Sequence, residues 1–115
     1  MSRKLPKLIQ MYLMYHPKIE IPTDRYYVYV HINPLTNKVF YVGCAKGNNL
    51  RAFQFDKHRN DMWKQEVLSF GGFVNIRIEI VRTFYTATKA QEYEYYLMRE
   101  LKSRGEAYCC LEHGY

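Results

Sequence analysis

The spacing of apolar positions changes period several times along the chain, and each change marks an element. Over Tyr26 to Ile32 polar and apolar residues alternate, Asn33-Pro34-Leu35-Thr36-Asn37-Lys38 carries turn residues, and Val39 to Gly43 resumes a strand, which predicts a β-hairpin. Side chains alternate across a strand, so Val28, Val30 and Ile32 share one face. Phe40 and Val42 form the matching apolar set, which leaves Tyr27, Tyr29, His31, Tyr41 and Gly43 together on the other face. Phe73 to Arg82 reads as a further strand because Val74, Ile76, Ile78 and Ile80 alternate with Asn75, Arg77 and Glu79.

Helical spacing appears in three other places. Leu5, Leu8, Ile9, Tyr12 and Leu13 form one stripe behind Pro6, a residue suited to a first helical turn, and predict a short helix docked on the domain. A Gly- and Asn-containing loop from Cys44 to Asn49 leads to a short helix holding Leu50, Arg51 and Phe53. Asn60 or Asp61 then caps a helix that stops at Gly71-Gly72. Thr86 or Thr88 caps a long helix running to about Arg104 and stopping at Gly105, with Thr88 and Gln91 at capping-box spacing. The tail from Ala107 onward is expected to add an edge strand. The result is an α+β fold, a small antiparallel-containing sheet of about three strands flanked by helices. Residues 1–24 form a helical extension and residues 25–115 the domain proper, a size that supports one core.

Composition narrows the class. Seventeen Lys and Arg against eleven Asp and Glu give a net charge of +6, which favours a polyanionic partner because phosphate neutralisation releases counterions. Twelve tyrosines supply side chains with an apolar body and a polar tip, suited to half-buried sheet faces and wet grooves. Three cysteines, two of them the vicinal Cys109 and Cys110, imply no disulfide framework, and a reducing cytoplasm is the expected setting. No CxxC or HxxxH spacing argues for zinc, and no apolar run is long enough to span a membrane.

One residue stands out on physical grounds alone. At about 100° per residue, Ala90, Leu97, Met98 and Leu101 define the apolar stripe of the last helix, and Glu94 falls inside it, with Glu92 and Arg99 on the opposite side. A carboxylate on a core-facing stripe is costly unless it is paired, protonated or bound to metal.

Tyr27-Val28-Tyr29, eleven residues, then Tyr41-Val42-Gly43, followed by Arg51 and by Glu94 on a late helix, resembles the GIY-YIG endonuclease family in content, order and spacing. Arg51-Ala52-Phe53 with Arg59-Asn60 and Trp63 further resembles variants found in bacteriophage genomes. The resemblance implies a metal-dependent DNA endonuclease using one Mg²⁺ or Mn²⁺ and leaving a 5′-phosphate and 3′-hydroxyl. It implies catalytic roles for Tyr29, Tyr41, Arg51 and Glu94, with Glu94 as the metal ligand. Such roles suit phosphodiester hydrolysis, in which an attacking water must be placed and charge stabilised at the phosphate and the departing oxygen.

Lys46, Lys57, Arg59 and Lys64 are expected phosphate contacts on duplex DNA, and His31 and His58 are possible auxiliary groups. With no recognition module attached in this sequence, specificity is expected from the domain itself, from a homodimer or from a partner protein. The chain departs from the family pattern at Tyr27, usually glycine, at Phe55, where many members carry histidine, and at Cys110, near a usual asparagine. Two other readings remain open at this level: a nucleic-acid-binding module of the same fold without cleavage, and a small protein-interaction factor using its tyrosine-rich surface.

Overall fold

The computed structural model describes residues 5–20, 25–47, 49–55 and 58–111. Its elements follow the expected order: α1 (Lys7–Tyr15), β1 (Tyr26–Ile32), β2 (Val39–Lys46), a 3₁₀ turn (Arg51–Phe53), α2 (Asp61–Ser69), a second 3₁₀ turn (Phe73–Asn75), β3 (Arg77–Phe84) and α3 (Ala87–Ser103). The three strands form an antiparallel sheet in the order β2-β1-β3, with helices on both faces. The fold is therefore α+β, as the sequence implies.

Local chemistry explains where the helices begin and end. Asn60 caps α2 by accepting from the Trp63 amide at 2.8 Å. The helix closes when the Gly72 amide reaches back to the Val67 carbonyl, with Gly71 and Gly72 both at positive φ, a region that glycine enters without a Cβ penalty. Thr86 caps α3 by accepting from the Lys89 amide, so Thr88 lies inside the helix and the capping box expected at Thr88 and Gln91 does not form. The helix stops where Glu106 and Gly105 donate to Leu101 and Lys102 carbonyls, with Gly105 at φ 79°.

Three further expectations are corrected. Phe40 does not join the valine face. The β1–β2 register slips between His31 and Ile32, so His31 faces Tyr41 while Ile32 faces Val39, and Phe40 packs with the tyrosines. The third strand begins at Arg77 rather than Phe73, because the chain leaves Gly71-Gly72 in a 3₁₀ turn before extending. The segment after α3 is not a strand. It runs along the outer edge of β2, where Ala107 and Cys109 amides donate to the Val39 and Phe40 carbonyls and Glu106 accepts from the Val39 amide. That covers an edge whose bare backbone groups would otherwise invite pairing.

The sheet divides the interior. Val28, Val30, Ile32 and Val42 pack under α3 with Ala90, Met98 and Leu101. Tyr27, Tyr29, Phe40, Ile76 and Ile78 pack under α1 and α2 with Phe53, Trp63 and Val67. Ile9 and Tyr12 of α1 are buried in that second cluster, and Tyr12 Oη donates to the Ile76 carbonyl at 2.6 Å, so the N-terminal helix shares the core. Among the described residues no helix is long and apolar enough to cross a membrane.

Candidate active site

An open cavity of about 180 Å³ lies at the edge of β2, lined by Tyr41 and Val42, by Arg51 of the first 3₁₀ turn, by His58 and Asn60 before α2, by Glu94 and Met98 of α3, and by Cys110 and Leu111 of the tail. Five chain segments far apart in sequence thus meet there. Three of the four residues expected to be catalytic, Tyr41, Arg51 and Glu94, face this space together.

Each is placed by its element. Tyr41 is half-buried where the two core clusters meet, and burial raises its phenol above the ordinary tyrosine range, partly opposed by the positive charge of Arg59. Arg51 is exposed at the start of its turn and lines the cavity. Glu94 is half-buried, one turn before Met98, and stands beside the Cys44 thiol, whose pKa is pushed up to about 12 by burial first and by Glu94 second. The stripe therefore carries Glu94 to the rim of the core rather than into it.

Tyr29 stands behind this wall. Its ring is fully buried, 6.3 Å from Tyr41 between centroids, and Arg59 Nη1 donates to its hydroxyl at 3.4 Å. Burial holds its phenol well above the usual range. The opposite strand residue is Gly43, where a Cβ would overlap the Tyr29 hydroxyl and sit 2.5 Å from its Cζ. The glycine of the Tyr41-Val42-Gly43 motif is thus required by the tyrosine ring laid across it.

Two expectations change on contact with the structure. Arg59 is not a surface phosphate contact. It is 6% exposed, donates to the Gln54 and Arg51 carbonyls at 2.9 and 2.6 Å, and lies over the rings of Tyr41 and Trp63 at 5.0 and 5.2 Å. A guanidinium satisfies carbonyls with its edge and aromatic faces with its plane at once, which suits burial. His31 is not available as an auxiliary group. It is fully buried, Nδ1 accepts from the Trp63 indole at 3.0 Å, and Nε2 donates to the Ala52 carbonyl at 2.8 Å. The indole can only donate, so it fixes the neutral tautomer, and burial lowers the pKa to about 3.

Lys46 and Lys64 are exposed but do not line the cavity, and Lys57 lies outside the described residues. His58 is exposed on the cavity rim with φ 61°. Phe55 is buried against Tyr12 and Phe73 at 5.1 and 4.8 Å between centroids, so it serves the core beneath α1, while His58 supplies the imidazole at the cavity. Cys110 accepts from the Val42 amide at 3.1 Å and its thiol faces the Val42 carbonyl at 3.5 Å, pairing with the backbone on both sides as a side-chain amide would. Sequence reasoning missed the linking role of Arg59, since ring contacts leave no spacing signal.

Among the described residues no group of three or more His, Cys, Asp or Glu side chains is placed to hold a metal ion. Among the described residues Glu94 is the one carboxylate lining the cavity, and a hard oxygen donor of this kind fits a cation that keeps most of its waters and takes further ligands from phosphate.

Searches of curated proteins and of solved structures find no match. The family model described as the GIY-YIG catalytic domain matches residues 25–107, which span both hairpin motifs, the Arg51 turn and the whole of α3. With the motif tyrosines on adjacent strands and the arginine and glutamate converging on one cavity, the chain belongs to the GIY-YIG family.

Proposed function

We propose that this protein is a divalent-metal-dependent endonuclease that hydrolyses phosphodiester bonds in duplex DNA at the cavity between β2 and α3. Membership of the family makes it a nuclease-type domain with nucleic acid as substrate. The choice of DNA, the metal and the residue roles go further. The observation that carries them is the convergence of Tyr41, Arg51, His58 and Glu94 on one solvent-reached space.

Arg51 presents a planar pair of donors to a non-bridging phosphate oxygen, where negative charge grows during attack. Tyr41, held protonated by burial, donates to the same phosphate and orients it. His58 stands on the rim within reach of an entering water, and imidazole is the side chain suited to accept a proton near neutral pH. Tyr29 acts from behind, holding Tyr41 and Arg59 in place. Glu94 would hold Mg²⁺ or Mn²⁺, with the Cys44 thiol beside its carboxylate. When bound, that cation supplies charge neutralisation at the phosphate and the departing oxygen.

Lys46 and Lys64 add exposed positive charge for the flanking backbone. A second copy of the chain or a partner protein would supply sequence specificity beyond this small footprint. Burial of Phe55 away from the cavity, with His58 on its rim, favours cleavage over a binding-only role.

The test is nicking of supercoiled plasmid by pure protein. Relaxed product is expected with Mg²⁺ or Mn²⁺ and none with chelator, and Arg51→Ala should slow nicking about 10²- to 10³-fold, the usual cost of losing one transition-state donor. Plasmid bound but uncut with either metal would contradict the proposal.

A further inference from the structure

The match to the family model begins at residue 25, so α1 lies outside it, yet α1 touches the segment that carries two of the cavity residues. Tyr12 is fully buried. Its ring stacks on Phe55 at 5.1 Å between centroids and meets Phe53 edge-on at 6.2 Å. Arg51 opens the 3₁₀ turn that Phe53 closes, and His58 follows Phe55 by three residues.

On its other side α1 is tied to the second 3₁₀ turn. Tyr12 Oη donates to the Ile76 carbonyl, and the His16 ring, stacked on Tyr12 at 4.2 Å, donates from Nε2 to the Val74 carbonyl at 2.7 Å. Phe55 packs on Phe73 of the same turn at 4.8 Å. Tyr12 is therefore held through its hydroxyl as well as its ring, and cannot shift without giving up a buried hydrogen bond.

Arg51 and His58 are exposed, so burial of their own side chains does not hold them. Their buried neighbours do so, with Phe53 and Phe55 under α1 and Arg59 bonded to the Arg51 carbonyl. His58 at φ 61° is in a left-handed conformation that is uncommon outside glycine and persists where the surrounding structure holds the chain.

We propose that α1 is part of the catalytic unit, with Tyr12 a positioning residue whose stacking on Phe55 sets Arg51 and His58 at the cavity. This rests on the reading of those two residues as phosphate donor and proton acceptor. Aromatic pairs favour particular offsets at such separations, so the stack fixes direction as well as depth. A remote change that misplaces a reacting group by about 1 Å is enough to slow a reaction about 10²-fold.

The experiment uses the full chain. Plasmid nicking with Mg²⁺ gives kcat and KM at a temperature where melts show each variant folded, and NMR of the metal-free protein follows the Arg51 guanidinium and His58 imidazole signals. Tyr12→Leu should lower kcat by about 10- to 100-fold with KM unchanged, and should shift both sets of signals. Phe55→Leu breaks the same stack from the other side and should do the same, with no further loss when the two are combined. Tyr12→Phe keeps the ring and should retain most of the rate and leave the signals in place. Val30→Ala, a truncation in the aliphatic cluster under α3, should melt lower yet leave kcat and both sets of signals unchanged.

Wild-type kcat and unmoved signals in both Tyr12→Leu and Phe55→Leu would overturn the proposal and leave α1 as packing alone. An equal loss of kcat in Val30→Ala would also overturn it, since the effect would then be one of stability. If the wild-type chain nicks no plasmid, the nuclease reading fails, and signal shifts confined to the Tyr12 and Phe55 variants would still retain the placement of Arg51 and His58 by α1.

Discussion

On one side of the sheet, Val28, Val30, Ile32 and Val42 meet Ala90, Met98 and Leu101 of α3. On the other, Tyr27, Tyr29 and His31 meet Phe53, Trp63 and Arg59, and each of these six except Phe53 carries a polar group with a partner. The first face is held by removal of apolar area from water, which is non-directional and tolerates exchange of similar volumes. The second is a hydrogen-bonded network in which each removal strands another group. The cavity opens where the two meet, at Tyr41, so the directional face fixes the geometry of the site and the aliphatic face holds α3 against it.

The sharpest way to break that contrast is Arg59→Met, which keeps the stem but takes the guanidinium donor from the Gln54 carbonyl and the Tyr29 hydroxyl and leaves the Arg51 carbonyl with the Gln54 amide alone. A loss of about 3 kcal/mol or more is expected, since each buried orphan costs roughly 1–3 kcal/mol, and urea unfolding measures it. Ile32→Val on the aliphatic face should cost only about 0.5–1.5 kcal/mol by the same method. Equal losses would erase the distinction between the faces.

Next in size is Gly43→Ala. Its new methyl collides with the Tyr29 ring, and a loss of about 1–3 kcal/mol is expected. Pairing it with Tyr29→Leu should recover part of that loss, a coupling of about 0.5–3 kcal/mol in a double-mutant cycle. Additive losses would mean that the ring is not what requires glycine.

A pH-dependent effect comes from His31, neutral in the fold with its pKa lowered to about 3 against an ordinary value of 6.5. Below 6.5 the unfolded chain takes up a proton that the folded chain refuses. The stabilisation is therefore complete above 6.5 and is lost as pH falls toward 3, by at most about 1.4 kcal/mol per pH unit from one group. Urea midpoints between pH 7 and 4 should show that slope, and His31→Gln should flatten it even where it lowers the midpoint. An unchanged slope in the variant would place the acid sensitivity elsewhere.

Much of the framework was legible in the sequence because it rests on local rules. Turn residues between two strands, caps narrowed to Asn60 or Asp61 and to Thr86 or Thr88, Gly71-Gly72 and Gly105 as stops, and the displaced Glu94 all follow from spacing and side-chain chemistry. The family motifs then named Tyr41, Arg51 and Glu94, which do meet at one cavity. What was illegible depends on the third dimension. A one-residue slip between His31 and Ile32 carried Phe40 to the other face, and nothing in the order of residues marks such a bulge. Arg59 read as a surface charge because its carbonyl and ring partners come from Gln54, Arg51, Tyr41 and Trp63, brought together only by folding. His31 read as available for the same reason.

In the proposed reaction Glu94 serves cleavage more than the fold. Glu94→Gln keeps the shape of the side chain and removes the charge that a divalent cation needs. One preparation of this variant should be followed by a thermal melt and by plasmid nicking, with Mg²⁺ or Mn²⁺ added and withheld. A melt close to wild type, retained DNA binding and nicking reduced at least about 10²-fold are the expected results. A destabilised protein that still cuts at the wild-type rate would contradict the account.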